Sequence, residues 1–450
     1  MSRRRHGGNN YGLTAGDDVM TAYADSAPLH SDSTRNEPSF SHLTKLHLLL
    51  HRLSGVVSNS MPQIGNGSNC TISAVGQGAI RYSSVVAFRY HDAAEDVLFI
   101  ENSNGTATLQ AWCWGHQYSL SPSSIQIAST TTGAVLFASD EAPSTPAPAR
   151  TYTPVHDEPF AWKAYSEPLQ LAPHADTSSG GEVVVSSQPL EQLNLTTDLT
   201  GYCVYQTTFS EEELGSAVQE QLLVVTGRTN NAYIVAIDGK AVASLQSHQN
   251  MGLGQAILNT TVSMDLLSRS TGSQHTLTVV SSSLGLRNDD IFDSSREAKG
   301  IEQLTLGGLN LTARTWQQRA GLVGEKSSIE SLQPSLTVAN VSMVWMQTSF
   351  ALDSAPNGTT PTYVFDASGL GRGYVYVNNF SLGRYWPTVP RGSGLALPGQ
   401  PSGPGQRYYH IPPDCLQAGT NTLVLIEEVG APHPELARLA KVAVAEEASS

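Results

Sequence analysis

The chain has 450 residues, with 25 Lys and Arg against 39 Asp and Glu, a formal net charge of −14 and a pI near 5.3. That length exceeds one hydrophobic core and calls for several domains, and the acidic balance excludes binding to nucleic acid, which needs a basic surface. No apolar run is long enough to span a bilayer, and a charged content of only 14% with many Gly, Ser, Thr and Val points to β-sandwiches.

The first residues read His6-Gly7-Gly8-Asn9-Asn10-Tyr11-Gly12, then Thr14-Ala15-Gly16, then Tyr23-Ala24-Asp25-Ser26-Ala27-Pro28-Leu29. A glycine-dense turn running into a polar loop and a helix is how a β/α unit ends. Ser39 is the candidate cap of that helix, and Phe40, Leu43, Leu46, Leu50 and Leu53 recur along one face that the spacing predicts to be buried. One βα unit cannot bury such a face alone. The numbering is therefore expected to open near the end of a larger fold.

Residues 54–140 read as short strands. Val85-Val86-Ala87-Phe88, Val97-Leu98-Phe99-Ile100, Ala107-Thr108-Leu109 and Ile125-Gln126-Ile127 are separated by Gly, Asn and Ser turns. The Pro/Ala/Thr-rich stretch 141–159 is expected to be a linker. Beyond it the chain repeats itself. Val204-Tyr205-Gln206-Thr207-Thr208-Phe209 pairs with Trp345-Met346-Gln347-Thr348-Ser349-Phe350, Tyr233 to Gly239 with Tyr374 to Asn379, and Thr276 to Val280 with Thr422 to Ile426. The spacing is about 140–146 residues each time, one sandwich per copy, which predicts two tandem jelly rolls. Both copies carry a hairpin signal, Asp238-Gly239 and Asn378-Asn379, suited to positive φ.

These blocks resemble glycoside hydrolase family 35, the β-galactosidases, in its plant-type branch. The opening is similar to that branch's H-G-G-T-N-F-G-x-T-A-G, the next block to T-S-Y-D-Y-D-A-P-L, and Pro38 to His47 to P-K-x-x-H-L-x-x-L-H. Further matches follow in order. They are Phe160 to Pro168 (W-x-x-Y-x-E-P), Leu284 to Asn288 (V-G-L-x-N), Trp316 to Glu325 (W-Q-x-x-x-G-L-x-G-E), Asn378 to Trp386 (N-G-x-x-I/L-G-R-Y-W) and Gln406 to Pro412 (Q-R-W-Y-H-V-P). The resemblance implies a mainly β fold: a remnant of the last βα unit of a (β/α)8 barrel at 1–53 and a small β-sandwich domain at 54–140. After the linker come two tandem, galactose-binding-like jelly rolls at 160–325 and 326–450.

It also implies hydrolysis of terminal β-D-galactosyl residues with retention, through a covalent glycosyl-enzyme formed by two glutamates. Those glutamates sit on earlier barrel strands, upstream of this chain, so no residue here inherits a catalytic role. The implied partner is a β-galactoside-containing oligo- or polysaccharide, and the implied setting of the full-length parent is extracellular, cell wall, or vacuole/lysosome. Met1 to Arg5 is basic but has no apolar h-region behind it, so this chain shows no signal peptide. The alternative is a complete, non-catalytic carbohydrate-binding or structural β-sandwich protein derived from such an enzyme.

Candidate substrate-binding residues are Tyr23 and Asp25, in the loop whose second tyrosine contacts galactose in the family, where Asp25 now stands. Arg384 and Trp386 are two more, because aromatic faces stack on pyranose C–H faces while Arg bonds hydroxyls. The competing reading of Arg384 and Trp386 is an anchor between domains. The adjacent carboxylates Asp17-Asp18, Glu211-Glu212-Glu213, Asp289-Asp290 and Glu427-Glu428 are expected to be solvated. His42, His47 and His51 lack a zincin pattern, and no metal or other cofactor is expected. Nine Asn-x-Ser/Thr sequons occur, at Asn66, Asn69, Asn104, Asn194, Asn259, Asn310, Asn340, Asn357 and Asn379. Of Cys70, Cys113, Cys203 and Cys415, the pair Cys70 and Cys113 falls in one domain and is the expected disulfide, with three pairings open.

Overall fold

Alternating apolar and polar residues turn most of the chain into antiparallel strands. In the computed structural model, which describes residues 8–15, 21–22, 27–74, 85–141, 150–171, 182–197, 199–214, 220–228, 230–246, 255–263, 274–285, 298–335, 337–356, 361–387 and 406–444, these strands form six sheets.

The helix Ser39–Arg52 starts one residue earlier than a Ser39 cap would require. Its first turn is held instead by Glu37, whose carboxylate accepts from Ser41 N at 3.1 Å and Ser41 Oγ at 2.9 Å. The expected face is buried only at its far end. Leu53 is fully enclosed, Leu46 lies partly buried against Val56, Val97, Ile127 and Phe137, Phe40 and Leu43 are half-buried, and Leu50 is 37% exposed.

That helix end rests on the small β-domain. One sheet there comprises Gln63–Ile64, Val85–His91, Asp96–Asn102, Ser124–Ser129 and Val135–Ala138; the other comprises Cys70–Ala74, Leu109–Cys113 and His116–Leu120. Leu98, Ile100, Ala111, Tyr118 and Leu120 fill the space between them. Cys70 and Cys113 face each other in register and are joined by a disulfide.

Each repeat copy is a sandwich of a six-stranded and a four-stranded sheet. In the first, Tyr202–Ser210 lies between Trp316–Ala320 and Gln274–Ser283, and the second sheet is centred on Glu220–Arg228 and Ile301–Leu306. In the second, Val344–Leu352 pairs with Gly419–Glu427, which pairs in turn with Gly373–Val377, and Phe380–Tyr385 forms the edge. The hairpin turns take positive φ as their residues require, at Asp238 (50°) and Gly239 (78°), and at Asn378 (47°) and Asn379 (68°).

The boundary between linker and sandwiches differs from the expected one. Arg150–Pro154, inside the expected linker, is an edge strand of the second sandwich. It pairs with Arg438–Val444, and Tyr152 stacks on Tyr408 with ring centroids 3.7 Å apart. Lys163–Ser166, expected in the first sandwich, pairs with Val344–Leu352 and buries Ala164 in the second core. The chain thus starts the second sandwich, leaves to build the first, and returns. A Pro- and Thr-rich composition does not exclude an edge strand, where missing donors cost nothing.

The two six-stranded sheets face each other. Along Tyr202–Ser210, Cys203, Tyr205 and Phe209 point into the first core. Tyr202 and Val204 point the other way and meet Met343, Trp345, Tyr374 and Ile426 of the second sandwich in a shared apolar cluster. A sheet covered on both faces reads as a continuous apolar run, and Asn231–Ile237 is buried at every position.

Candidate functional site

The edge strand Phe380–Tyr385 carries the Gly-Arg-Tyr-Trp motif. Arg384 is only 3% exposed. Its Nη1 donates to Glu428 Oε1 at 2.8 Å, and its Nη2 donates to Tyr374 Oη at 2.9 Å and to the Ser283 carbonyl at 2.7 Å. Glu428 also accepts from Arg372 Nε at 2.6 Å, Tyr202 Oη at 2.8 Å and Ser282 Oγ at 3.0 Å. One buried carboxylate therefore gathers donors from both sandwiches. Burial works against its ionised form, but Arg384 and Arg372 prevail and hold the Glu428 carboxyl down at about 2. Trp386, 7% exposed, lies 5.1 Å beneath the Arg372 guanidinium and against Ala232 and Leu284 of the first sandwich. The structure thus places Arg384 and Trp386, both candidates for sugar binding, at the seam between the sandwiches.

The expectation that Glu427-Glu428 is a solvated pair is corrected. Glu427 is also fully buried, on the opposite side. It accepts from the backbone N–H groups of Gly371, Arg372, Val429 and Gly430 and from Tyr385 Oη. Its carboxyl is pushed up by burial. The strand leading into the pair is central in its sheet and capped by the other sandwich, so its end stays dry. Glu211, Glu212 and Glu213 are exposed, while Asp17, Asp18, Asp289 and Asp290 lie outside the described residues.

Tyr23 and Asp25 also lie outside the described residues. The residues just before them are held by the edge strand and by Gln406. Thr21 Oγ1 donates to the Arg384 carbonyl at 2.6 Å, Ala22 N donates to Gln406 Oε1 at 2.6 Å, and Tyr11 meets Phe380 edge-on at 5.2 Å. Gly383 explains the motif's glycine. Its φ is +95°, and a Cβ there would come within 2.6 Å of the Asn10 carbonyl oxygen.

Two open grooves lie farther along the facing sheets, at repeat-equivalent positions. One, of about 880 Å³, is lined by Gln206, Thr208, Gln274, Thr276 and Gln317 together with Leu169 to Leu171. The other, of about 940 Å³, is lined by Gln347, Ser349, Thr422 and Phe160 and by the charged Asp157, Lys163 and Glu330. Amides and hydroxyls in such rows can bond a polyol. Among the described residues no group of three or more His, Cys, Asp or Glu is arranged to hold a metal.

A family model described as "Beta-galactosidase, galactose-binding domain" matches residues 343–421, the stretch that holds Arg372, Arg384 and Trp386. Beta-galactosidase 11 of Oryza sativa subsp. japonica is 28% identical over 94% of this chain and 47% of its own length. Beta-galactosidase 6 of the same plant is 26% identical over 94% of this chain and 51% of its own length. The chain is related to the β-galactosidases. It spans about half the length of these curated relatives. Among solved structures, a GH2 beta-galacturonidase from Eisenbergiella tayi bound to galacturonate aligns at 12% identity over 65% of this chain and 42% of that one. Its TM-score is 0.19, too low to carry an argument.

In this β-galactosidase relative, the sequons at Asn66, Asn194, Asn259, Asn310, Asn340 and Asn379 are exposed, and Asn69 and Asn104 are half-buried. Asn357 lies outside the described residues. Sequence reasoning passed over Arg372, Tyr202 and Ser282. The available signal was Arg372 between two glycines, Gly371 and Gly373, together with two carboxylates closing the apolar run Leu423 to Ile426.

Proposed function

We propose that this chain is the non-catalytic C-terminal part of a β-galactosidase that hydrolyses terminal β-D-galactosyl residues with retention, through a covalent glycosyl-enzyme. The two catalytic glutamates would be carried by a barrel outside this chain. The observation that carries the reading is the double engagement of Phe380–Tyr385. On one side it seats the opening segment through Thr21 and Gly383, and on the other it holds the first sandwich through Arg384. A strand fixed at both faces braces whatever precedes it against both sandwiches. The groove around Gln347 and Ser349 lies partly within the stretch matched to a galactose-binding domain and is proposed to meet galactoside chains. The secretory setting, extracellular, cell wall, or vacuole/lysosome, is supported by six exposed sequons and a disulfide.

Hydrolysis of p-nitrophenyl β-D-galactoside tests this. The 450-residue chain alone is expected to give no turnover, and co-expression with the half of Beta-galactosidase 11 that this chain does not match is expected to give turnover. Turnover by the chain alone would overturn the assignment of catalysis to a barrel.

A further inference from the structure

We propose that the outer face of the three-stranded sheet in the small β-domain binds a neutral polysaccharide chain, with Trp112 as its stacking surface. The strand Leu109–Cys113 is the middle one of that sheet. Leu109, Ala111 and Cys113 point inward and are fully buried, so Gln110 and Trp112 point outward. Register places Thr71 and Gln117 on either side of Trp112, and Ser119 beside Gln110. These five side chains share one face, and none of them ionises.

Trp112 is 54% exposed. An indole in mid-sheet gains by burial, and here its neighbours are amides and hydroxyls that leave it open. They are already ordered: Gln110 Nε2 donates to Ser119 Oγ at 2.8 Å, and Gln117 Nε2 donates to Gln110 Oε1 at 3.3 Å. The disulfide joins Cys70 to Cys113, the pair next to Thr71 and Trp112, and pins the strands. A surface fixed in advance loses little entropy on binding.

The chemistry selects the ligand class. A pyranose offers an apolar C–H face to an aromatic ring and a rim of hydroxyls to amides. The five described side chains carry no charge by which to recognise an anion, and an open sheet face suits an extended chain better than a chain end. A single ring rimmed by amides is also far smaller than the roughly 800 Å² per partner of a stable protein interface. The inference goes beyond the proposed function and does not depend on it, since it requires neither a barrel nor turnover.

Affinity electrophoresis of the deglycosylated full chain tests it, in gels containing β-1,4-galactan, β-1,4-glucan or polygalacturonate. Deglycosylation keeps glycans at Asn66 and Asn69 off the neighbouring sheet. Retardation by a neutral polymer is expected, weakened about tenfold in Trp112→Ala and partly kept in Trp112→Phe. Unchanged thermal unfolding of Trp112→Ala, expected for an exposed side chain, separates lost binding from lost fold. Retardation equal in wild type and Trp112→Ala, absent with both neutral polymers, or seen only with polygalacturonate would overturn it.

Discussion

Arg384 and Glu428 form an ion pair of 2.8 Å in which the two side chains are 2% and 1% exposed. Arg372 completes it from the other oxygen at 2.6 Å. Removing one partner of a buried pair leaves uncompensated charge and costs about 3–5 kcal/mol. Glu428→Gln should therefore lower the stability of the joined sandwiches by that amount in urea unfolding. An unchanged midpoint would contradict the role of Glu428 as the shared acceptor.

The same carboxylate sets an acid limit. Its folded pKa of about 2 lies below the ordinary 4.5, so the unfolded chain takes up its proton first. The stability it contributes is fully present above about 4.5 and is lost as pH falls towards about 2. Unfolding followed against pH should show a shallower loss across that window in Glu428→Gln than in the wild type.

Each sandwich locks its hairpin turn with an Asx side chain. Asp238 Oδ1 accepts from Thr276 N at 2.9 Å and Oδ2 meets His275 Nδ1 at 2.8 Å. Asn378 Oδ1 accepts from Thr422 N at 2.9 Å and its Nδ2 donates to Asn421 Oδ1 at 2.7 Å. Asp238→Ala and Asn378→Ala should each cost about 1–3 kcal/mol. The double variant should show additive losses, because the two turns share no partner.

The disulfide closes a loop with a sequence separation of 43 residues. Reduction should destabilise the small β-domain by up to about 4 kcal/mol and leave the sandwiches unchanged. Calorimetry with and without dithiothreitol reads this. Thiol labelling of the native chain should reach half-buried Cys415 and spare Cys203, which is buried and pushed up to about 12 by that burial.

The repeat was legible in the sequence because strand alternation and turn chemistry are local. Gln206 and Gln347 mark the same place in two copies, and Asp238-Gly239 announces its own turn. The burial of Arg384 and Trp386 was not legible, since it depends on a second sheet from a distant part of the chain. Glu428 looked like surface charge for the same reason. Arg150–Pro154 was hidden by composition: its strand character comes from pairing with Arg438–Val444 and from Tyr408 beneath Tyr152. Trp112 left one faint trace, a large aromatic at the outward position of Leu109–Cys113.

The most direct test is to capture the native protein from its source with an antibody to residues 200–450, deglycosylate it, and measure its mass and its β-galactosidase activity. The account predicts a polypeptide longer than this chain by about 250 residues, the size of a β/α barrel, that releases galactose from a β-galactoside. A polypeptide of 48.0 kDa without activity would contradict it.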